Sequence, residues 1–299
     1  MNIVVSGASG LIGTELVAAL QKDGHNVTRL VRRAAGAGEV FWNPGTDTID
    51  ADAFAAVAPD AVIHLAGAGI GDKRWNASYK KQILDSRVNG TRLLARTIAS
   101  MATKPRVFLS GSAIGIYGAH GDEVIDESSP AGNDFLADVC REWEAAARPA
   151  QDAGVRTVFL RTGIVLSRKG GALKKQLLIF KLGLGGKMGK GNQWQSWISV
   201  ADEVGAIIHL LTADVSGPVN LTAPGAVTQA EFAKALGRAV KRPAIAPIPT
   251  FGPKLLLGSE LANALLFTGQ RVAPNVLLAS GYGFRHASLD HALADILGK

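Results

Sequence analysis

Apolar positions along this chain switch repeatedly between short continuous runs and a spacing of three to four. Ile3, Val4 and Val5 form a β-branched run that breaks into glycines at Gly7, Gly10 and Gly13, after which Leu16, Val17 and Leu20 recur at helical spacing. This predicts a strand, a tight turn and a helix over 10–22, ended by Gly24, with a second strand over 27–31. The alternation then repeats. Residues 60–67 read as a buried strand, and 76–102 as a long helix in which Leu84, Val88, Thr91, Ala95, Ile98 and Ala102 share a face. Further strands are predicted over 106–110, 155–161, 193–199 and 220–222. Helices are predicted around 135–144, within 170–190, from Asp202 to Leu211, and from the Thr228/Glu231 capping box onward. Strands alternating with helices require a parallel sheet covered on both faces, so the fold class is α/β, a doubly wound parallel sheet. The stretch 34–50, with Gly36, Gly38, Pro44 and Gly45, reads as loop. Pro243, Pro247, Pro249 and Pro253 break the chain into a linker, beyond which 254–267, 274–279 and 289–297 read as short helices.

Candidate chemistry begins at the glycine turn. Gly7 lets the chain turn sharply, Gly10 lets backbone approach a pyrophosphate, and Gly13 lets the helix pack closely, while amides at the helix start face negative charge. A Rossmann-type dinucleotide site follows, with Ser9, Leu11 and Ile12 between the glycines as further cofactor contacts. Arg32 and Arg33 stand directly after the second strand, beside the adenosine ribose. An acid there would accept from a free 2'-hydroxyl, whereas arginine pairs with a 2'-phosphate, so NADP(H) is expected over NAD(H). His64, inside an apolar strand, is expected to be packed and hydrogen-bonded, not catalytic.

Composition narrows the class. Within 299 residues, 47% are hydrophobic and 19% charged, which suits a globular protein with a sizeable core. No stretch approaches the ~20 apolar residues of a membrane helix, no leader pattern precedes the first strand, and no membrane partner is expected. A single cysteine, Cys140, fits a reducing cytoplasm. The net charge of +7 is scattered, densest over 168–190, without zinc spacing or aromatic-basic interleaving, so neither a nucleic-acid partner nor a metal site is expected.

The spacing G-x-x-G-x-x-G resembles that of extended short-chain dehydrogenases/reductases, and other segments extend the likeness. Leu65, Ala66 and Gly67 resemble the small-residue segment over which cofactor passes there. The Val88-Asn89-Gly90-Thr91 stretch resembles the cleft-lining helix, in which a small residue admits a neighbour and which often serves a homodimer. Thr162, Gly163 and Ile164 resemble the turn that packs on nicotinamide. Ser110 to Ser112 followed by Tyr117 resembles the segment in which a serine supports the acid/base, with one extra residue. The resemblance makes Ser112 and Tyr117 the catalytic candidates, with Ser110 the runner-up for the serine because of the extra residue, and otherwise a cofactor contact.

The tyrosine–lysine pair of that superfamily is missing. Four residues beyond Tyr79, Tyr117 and Tyr282 stand Ile83, Gly121 and His286, and the helix where the pair belongs carries Val139 or Cys140 and Trp143 or Glu144. Cys140 is expected to pack as a small hydrophobe and Glu144 to pair at the surface. These departures, with W-I-S-V-A-D at 197–202 and the tail G-Q-R-V-A-P-N-V-L-L-A-S-G-Y-G-F-R-H, are similar to the atypical "epimerase family" proteins with an unexplained C-terminal domain. The resemblance implies a nucleotide-binding region over 1–222 and a smaller, mostly helical substrate-side region over 223–299, to which 165–195 contributes. The glycine-rich stretch 183–191 reads as a mobile loop over the cleft, and Trp197 and Asp202 as a core aromatic and a helix-start charge. The resemblance further implies an epimerase, dehydratase or oxidoreductase acting on a small carbonyl or hydroxyl compound such as a nucleotide sugar. The alternative is a binder that reports NADP(H) redox state without turnover, a role in keeping with the link to cell division that the resemblance implies for some relatives.

Overall fold

The computed structural model describes residues 1–298. Eight strands form the central sheet: β1 (Asn2–Ser6), β2 (Asn26–Val31), β3 (Glu39–Asn43), β4 (Thr48–Ile49), β5 (Ala61–His64), β6 (Val107–Ala113), β7 (Arg156–Thr162) and β8 (Gly217–Leu221). Their order is β8-β7-β6-β5-β1-β2-β3-β4. All neighbours run parallel except β3 and β4. The strand order reverses between β1 and β5, and in doubly wound sheets ligands bind in the crevice at that switch point.

Strands buried on both faces explain the continuous apolar runs. Ile3, Val5, Ile63, Leu109, Val158 and Leu160 face one core, shared with Leu16 and Leu20 of the Leu11–Lys22 helix. Val4, Val62, Phe108 and Phe159 face the other, against Leu94 and Ile98 of the Ala77–Ser100 helix. The stretch expected to be loop contains β3 and β4. Val40 and Trp42 alternate inward with half-exposed Glu39, Phe41 and Asn43, a period-two signal confined to five residues between turns.

A third core joins Leu173, Leu177 and Phe180 of the Gly171–Lys181 helix and Trp197 to Phe232, Leu236, Leu289 and Leu293. Residues after β7 therefore share their core with the C-terminal helices. Small ladders join the two parts as well: Arg271–Val272 pairs with Val124–Ile125, and Trp194–Gln195 with Val227–Thr228. The Thr228/Glu231 capping box is formed in both directions. The helix expected over 254–267 is broken at Gly258, whose φ of 87° an ordinary residue resists, into Phe251–Leu257 and a second piece in which Ser259–Ala262 runs directly into the wider turn Asn263–Phe267. No described helix is long and apolar enough to cross a membrane.

Asp202 locks the tail to the sheet. Its carboxylate, 1% exposed, accepts from the backbone N–H of Arg285 (2.7 Å) and His286 (3.0 Å) and from Ser199 Oγ (2.8 Å). Ser199 in turn caps the Val200–Leu210 helix through the Asp202 amide. Trp197 is a core aromatic whose Nε1 donates to the Gly225 carbonyl.

Candidate nucleotide-binding and active site

At the switch point the chain cannot carry side chains. Gly7 has φ 72°, and a Cβ there would lie 2.7 Å from the Leu65 carbonyl carbon; a Cβ at Gly13 would fall on the Gly7 carbonyl oxygen. The turn is closed by Gly10 N donating to Gly7 O at 2.9 Å. Gly13 thus packs the helix onto the turn itself, and Gly7 brings Leu65 and Ala66 against it. The Leu11–Lys22 helix has Gly10 as N-cap, no capping side chain and no acid in its first turn. Its first N–H groups have no side-chain partner, an arrangement suited to a phosphate. Ser9 and Gly10 are exposed here, and Leu11 and Ile12 half-buried.

Two clefts meet over these elements. One, of about 1000 Å³, is lined by Gly7, Ser9, Val31, Arg33 and others; the second, of about 670 Å³, by Gly67, Ala68, Tyr79 and Ser86. Arg32 and Asn43 line both. The two arginines differ in commitment. Arg33 is bidentate to Glu39 at 2.6–2.7 Å, whereas Arg32 has no ion-pair partner among the described residues. Hydrogen bonds from Arg33 and the Gly36 amide, against a smaller opposing effect of desolvation, depress the Glu39 pKa to about 2.

Ser110 lies on β6 beside His64 of β5, with its Oγ buried and unpartnered among the described residues. His64 is buried as expected. Its Nδ1 is 2.6 Å from Ser6 Oγ, Gly90 makes room for its ring, and desolvation followed by the charge of Arg87 lowers its pKa to about 3, so it is neutral. Thr162 ends β7, and Gly163 and Ile164 follow it. Gly163 is required by close approach, since a Cβ there would lie 2.6 Å from the Ser196 carbonyl oxygen.

Ser112 and Tyr117 are brought into one buried network. Ser112 Oγ donates to Glu144 Oε1 at 2.7 Å, and Arg161 grips both oxygens of Glu144 at 2.9 and 3.0 Å. Arg161 also donates to the Tyr117 hydroxyl (2.9 Å), which donates to Asn220 Oδ1 (2.7 Å). Tyr117 is fully buried and lines neither cleft, and burial raises its pKa. Glu144 does pair, but not at the surface as expected: only 13% of its side chain is exposed, because its partner is a strand residue. Burial lowers the basicity of Arg161, but the hydrogen bonds and charge of Glu144 outweigh it and hold its pKa above the usual value. Cys140 packs with Ile114, Ile116 and Tyr117, and burial, then Glu144, push its thiol up to about 12.

At the vacant tyrosine–lysine positions, Val139 packs on Tyr79 and Ile83, and Trp143 lies under the Arg87 guanidinium, 5.0 Å from its ring centre. Arg87 is buried without a carboxylate, and its Nη1 donates to the carbonyls of Ala68 and Ile83, fixing the Gly67–Ala68 backbone. The sequence reading missed Arg87, Arg161 and Glu203. Arg161 is a charge inside an apolar stretch, which was the available signal; Arg87, after Asp85 and Ser86, and Glu203, after Asp202, carry no such local signal. Glu203 accepts from Thr162 Oγ1 at 2.8 Å, and its total burial raises its pKa to about 8.

Comparison with known proteins agrees with this geometry. A family model described as the NAD dependent epimerase/dehydratase family matches residues 3–222, and a domain of unknown function (DUF1731) matches 248–296. The chain is 42% identical over 294 residues to Epimerase family protein ML0860 of Mycobacterium leprae, covering 98% of this chain and 94% of that one. It is 38% identical to the human Epimerase family protein SDR39U1, covering 99% and 100%. A crystal structure of the human protein with NADPH superposes with a TM-score of 0.91 at 37% identity, covering 100% of this chain and 99% of that one. The chain therefore belongs to the NAD dependent epimerase/dehydratase family, and carries that family's nicotinamide-nucleotide-binding fold with a DUF1731 region behind it.

Proposed function

We propose that this protein binds NADP(H) in preference to NAD(H) and acts on a small carbonyl or hydroxyl compound, with Ser112 and Glu144 in place of the tyrosine–lysine pair. The observation that carries the cofactor reading is Arg32, unpaired among the described residues where the two clefts meet after β2, while Glu39, the acid lining the same cleft, is held by Arg33. In this reading Gly7, Ser9, Gly10, Leu11, Ile12 and Gly13 hold the pyrophosphate on the uncapped helix N-terminus. Arg32, with Arg33 beside it, takes the 2'-phosphate. Leu65, Ala66 and Gly67 line the path toward β6, where Ser110 and Thr162 to Ile164 flank the nicotinamide. The nicotinamide, when bound, gives or takes a hydride. The human relative described as crystallised with NADPH supports the same cofactor.

Ser112 supplies the acid/base site. Its hydroxyl already donates to Glu144, so a substrate hydroxyl donating to Ser112 Oγ would have a carboxylate two bonds away to receive the proton. Arg161 holds that carboxylate in place, and Tyr117 positions Arg161. The mostly helical region 223–299, with 165–195 contributing, closes the substrate side in this reading.

The enclosed Tyr117 hydroxyl and Cys140 thiol favour a second reading, a protein that binds NADP(H) and reports its redox state without turnover. Incubation with NADPH and a metabolite extract in deuterated buffer, followed by mass spectrometry, separates the two. A compound whose mass changes with the native protein, but with neither Gly10→Trp nor Ser112→Ala, supports the enzyme. A protein that binds NADPH and changes nothing supports the sensor.

A further inference from the structure

We propose that the face built from residues 170–191 and 239–258 docks on an anionic lipid bilayer. These two segments carry Lys174, Lys175, Lys181, Lys187, Lys190, Lys241, Arg242 and Lys254, and no aspartate or glutamate. None of these cations makes an ion pair among the described residues, although Arg33, Arg96, Arg161 and Arg238 elsewhere all do.

The same segments hold most of the exposed large apolar side chains of the molecule. Leu178, Leu182 and Leu184 are 62–66% exposed, and Ile245, Phe251, Leu255 and Leu256 71–83%. Leu178 and Leu182 lie one helical turn apart, as do Phe251 and Leu255. The Phe251–Leu257 helix buries none of its residues.

The two segments form one surface. Arg242 Nε donates to the Lys181 carbonyl at 3.3 Å, Ile248 N to Lys187 O at 2.9 Å and Gly189 N to Ile248 O at 3.0 Å. A Cβ on Gly186 would collide with the Ala246 carbonyl, so the segments lie in direct contact there. The glycine-rich stretch is thus pinned to 244–250, and neither Leu182 nor Leu184 lines the two nucleotide clefts.

Apolar side chains framed by unpaired lysines match a bilayer interface, where the first enter the acyl boundary and the second meet lipid phosphates. Charge complementarity selects this occupant over a second copy of the chain, since an isologous contact would oppose eight cations to eight. Such docking needs no spanning segment, and it departs from the expectation of no membrane partner, which rested on the lack of a spanning segment.

The test is sedimentation of the full chain with phosphatidylcholine vesicles, with and without phosphatidylglycerol, at low salt. Binding is expected only to vesicles containing phosphatidylglycerol. Lys174→Gln, Lys175→Gln and Lys181→Gln together should weaken it roughly a hundredfold, about fivefold for each charge. Phe251→Ser, Leu255→Ser and Leu256→Ser together should abolish it. NADPH affinity should be unchanged in both variants, which shows that the fold is retained. The proposal is overturned if phosphatidylglycerol vesicles carry no protein, if pure phosphatidylcholine binds as well, or if the protein is a dimer that the serine variant dissociates.

Discussion

Replacing Glu144 by leucine should be among the costliest single changes in the protein. It removes both acceptors of the Arg161 fork and the acceptor of Ser112, while Arg161 itself is 8% exposed and has only the Tyr117 hydroxyl and a 3.5 Å approach to the Glu127 carbonyl left. Stranding a buried charge in this way costs about 3–5 kcal/mol. At this chain length that lowers the melting temperature by roughly 5–8 °C. The double variant Glu144→Leu/Arg161→Met removes the stranded charge and should recover more than half of the loss, because the cost lies in the unpaired ion and not in the missing bridge. Thermal denaturation of the two singles and the double closes the cycle. A loss under about 1 kcal/mol for Glu144→Leu would place this pair with ordinary surface bridges and refute the buried network on which the Ser112 proposal depends.

Three further outcomes follow from the geometry. Glu203 has its folded pKa raised to about 8 by burial, so the folded state binds an extra proton between the ordinary carboxyl range and pH 8; stability should fall as pH rises through that window, and Glu203→Gln should remove on the order of 3 kcal/mol of that fall in denaturant titrations at pH 5 and pH 8. Asp202→Ala leaves the buried amides of Arg285 and His286 without an acceptor and should cost about 3 kcal/mol, with hydrogen exchange accelerated first in the 282–297 tail. The Cys140 thiol, held up at about 12 by burial and by Glu144, should not react with a thiol-specific disulfide reagent in the native protein and should react fully in urea; native reactivity would contradict its placement.

The sheet was legible because each strand–helix unit writes its own pattern locally. Ile3 to Val5, the glycines and Leu16 to Leu20 need no distant information. The glycine roles were legible for the same reason, since Gly7 and Gly13 are constrained by a turn seven residues long. What escaped were groups whose meaning depends on a partner far along the chain. Glu144, on the Phe135–Ala145 helix, meets Arg161 only because that helix packs on the sheet where Ser112 and Arg161 are strand partners, and Asp202 meets Arg285 across more than eighty residues. Strand β3 was missed because five residues between turns give too little alternation to outweigh Gly36, Pro44 and Gly45. The mixture of Arg32 and Arg33 was also unresolvable without Glu39, which takes one of them and leaves the other facing the clefts.

Parallel titrations of the native protein and Arg32→Ala with NADPH and with NADH test the central claim most directly. The account predicts tighter binding of NADPH to the native protein. In Arg32→Ala the NADPH affinity should fall by roughly 10- to 100-fold, the loss of one charge-assisted phosphate contact of about 1.5–3 kcal/mol, with NADH affinity little changed. Equal affinities, a preference for NADH, or an Arg32→Ala variant that weakens both cofactors alike would contradict it.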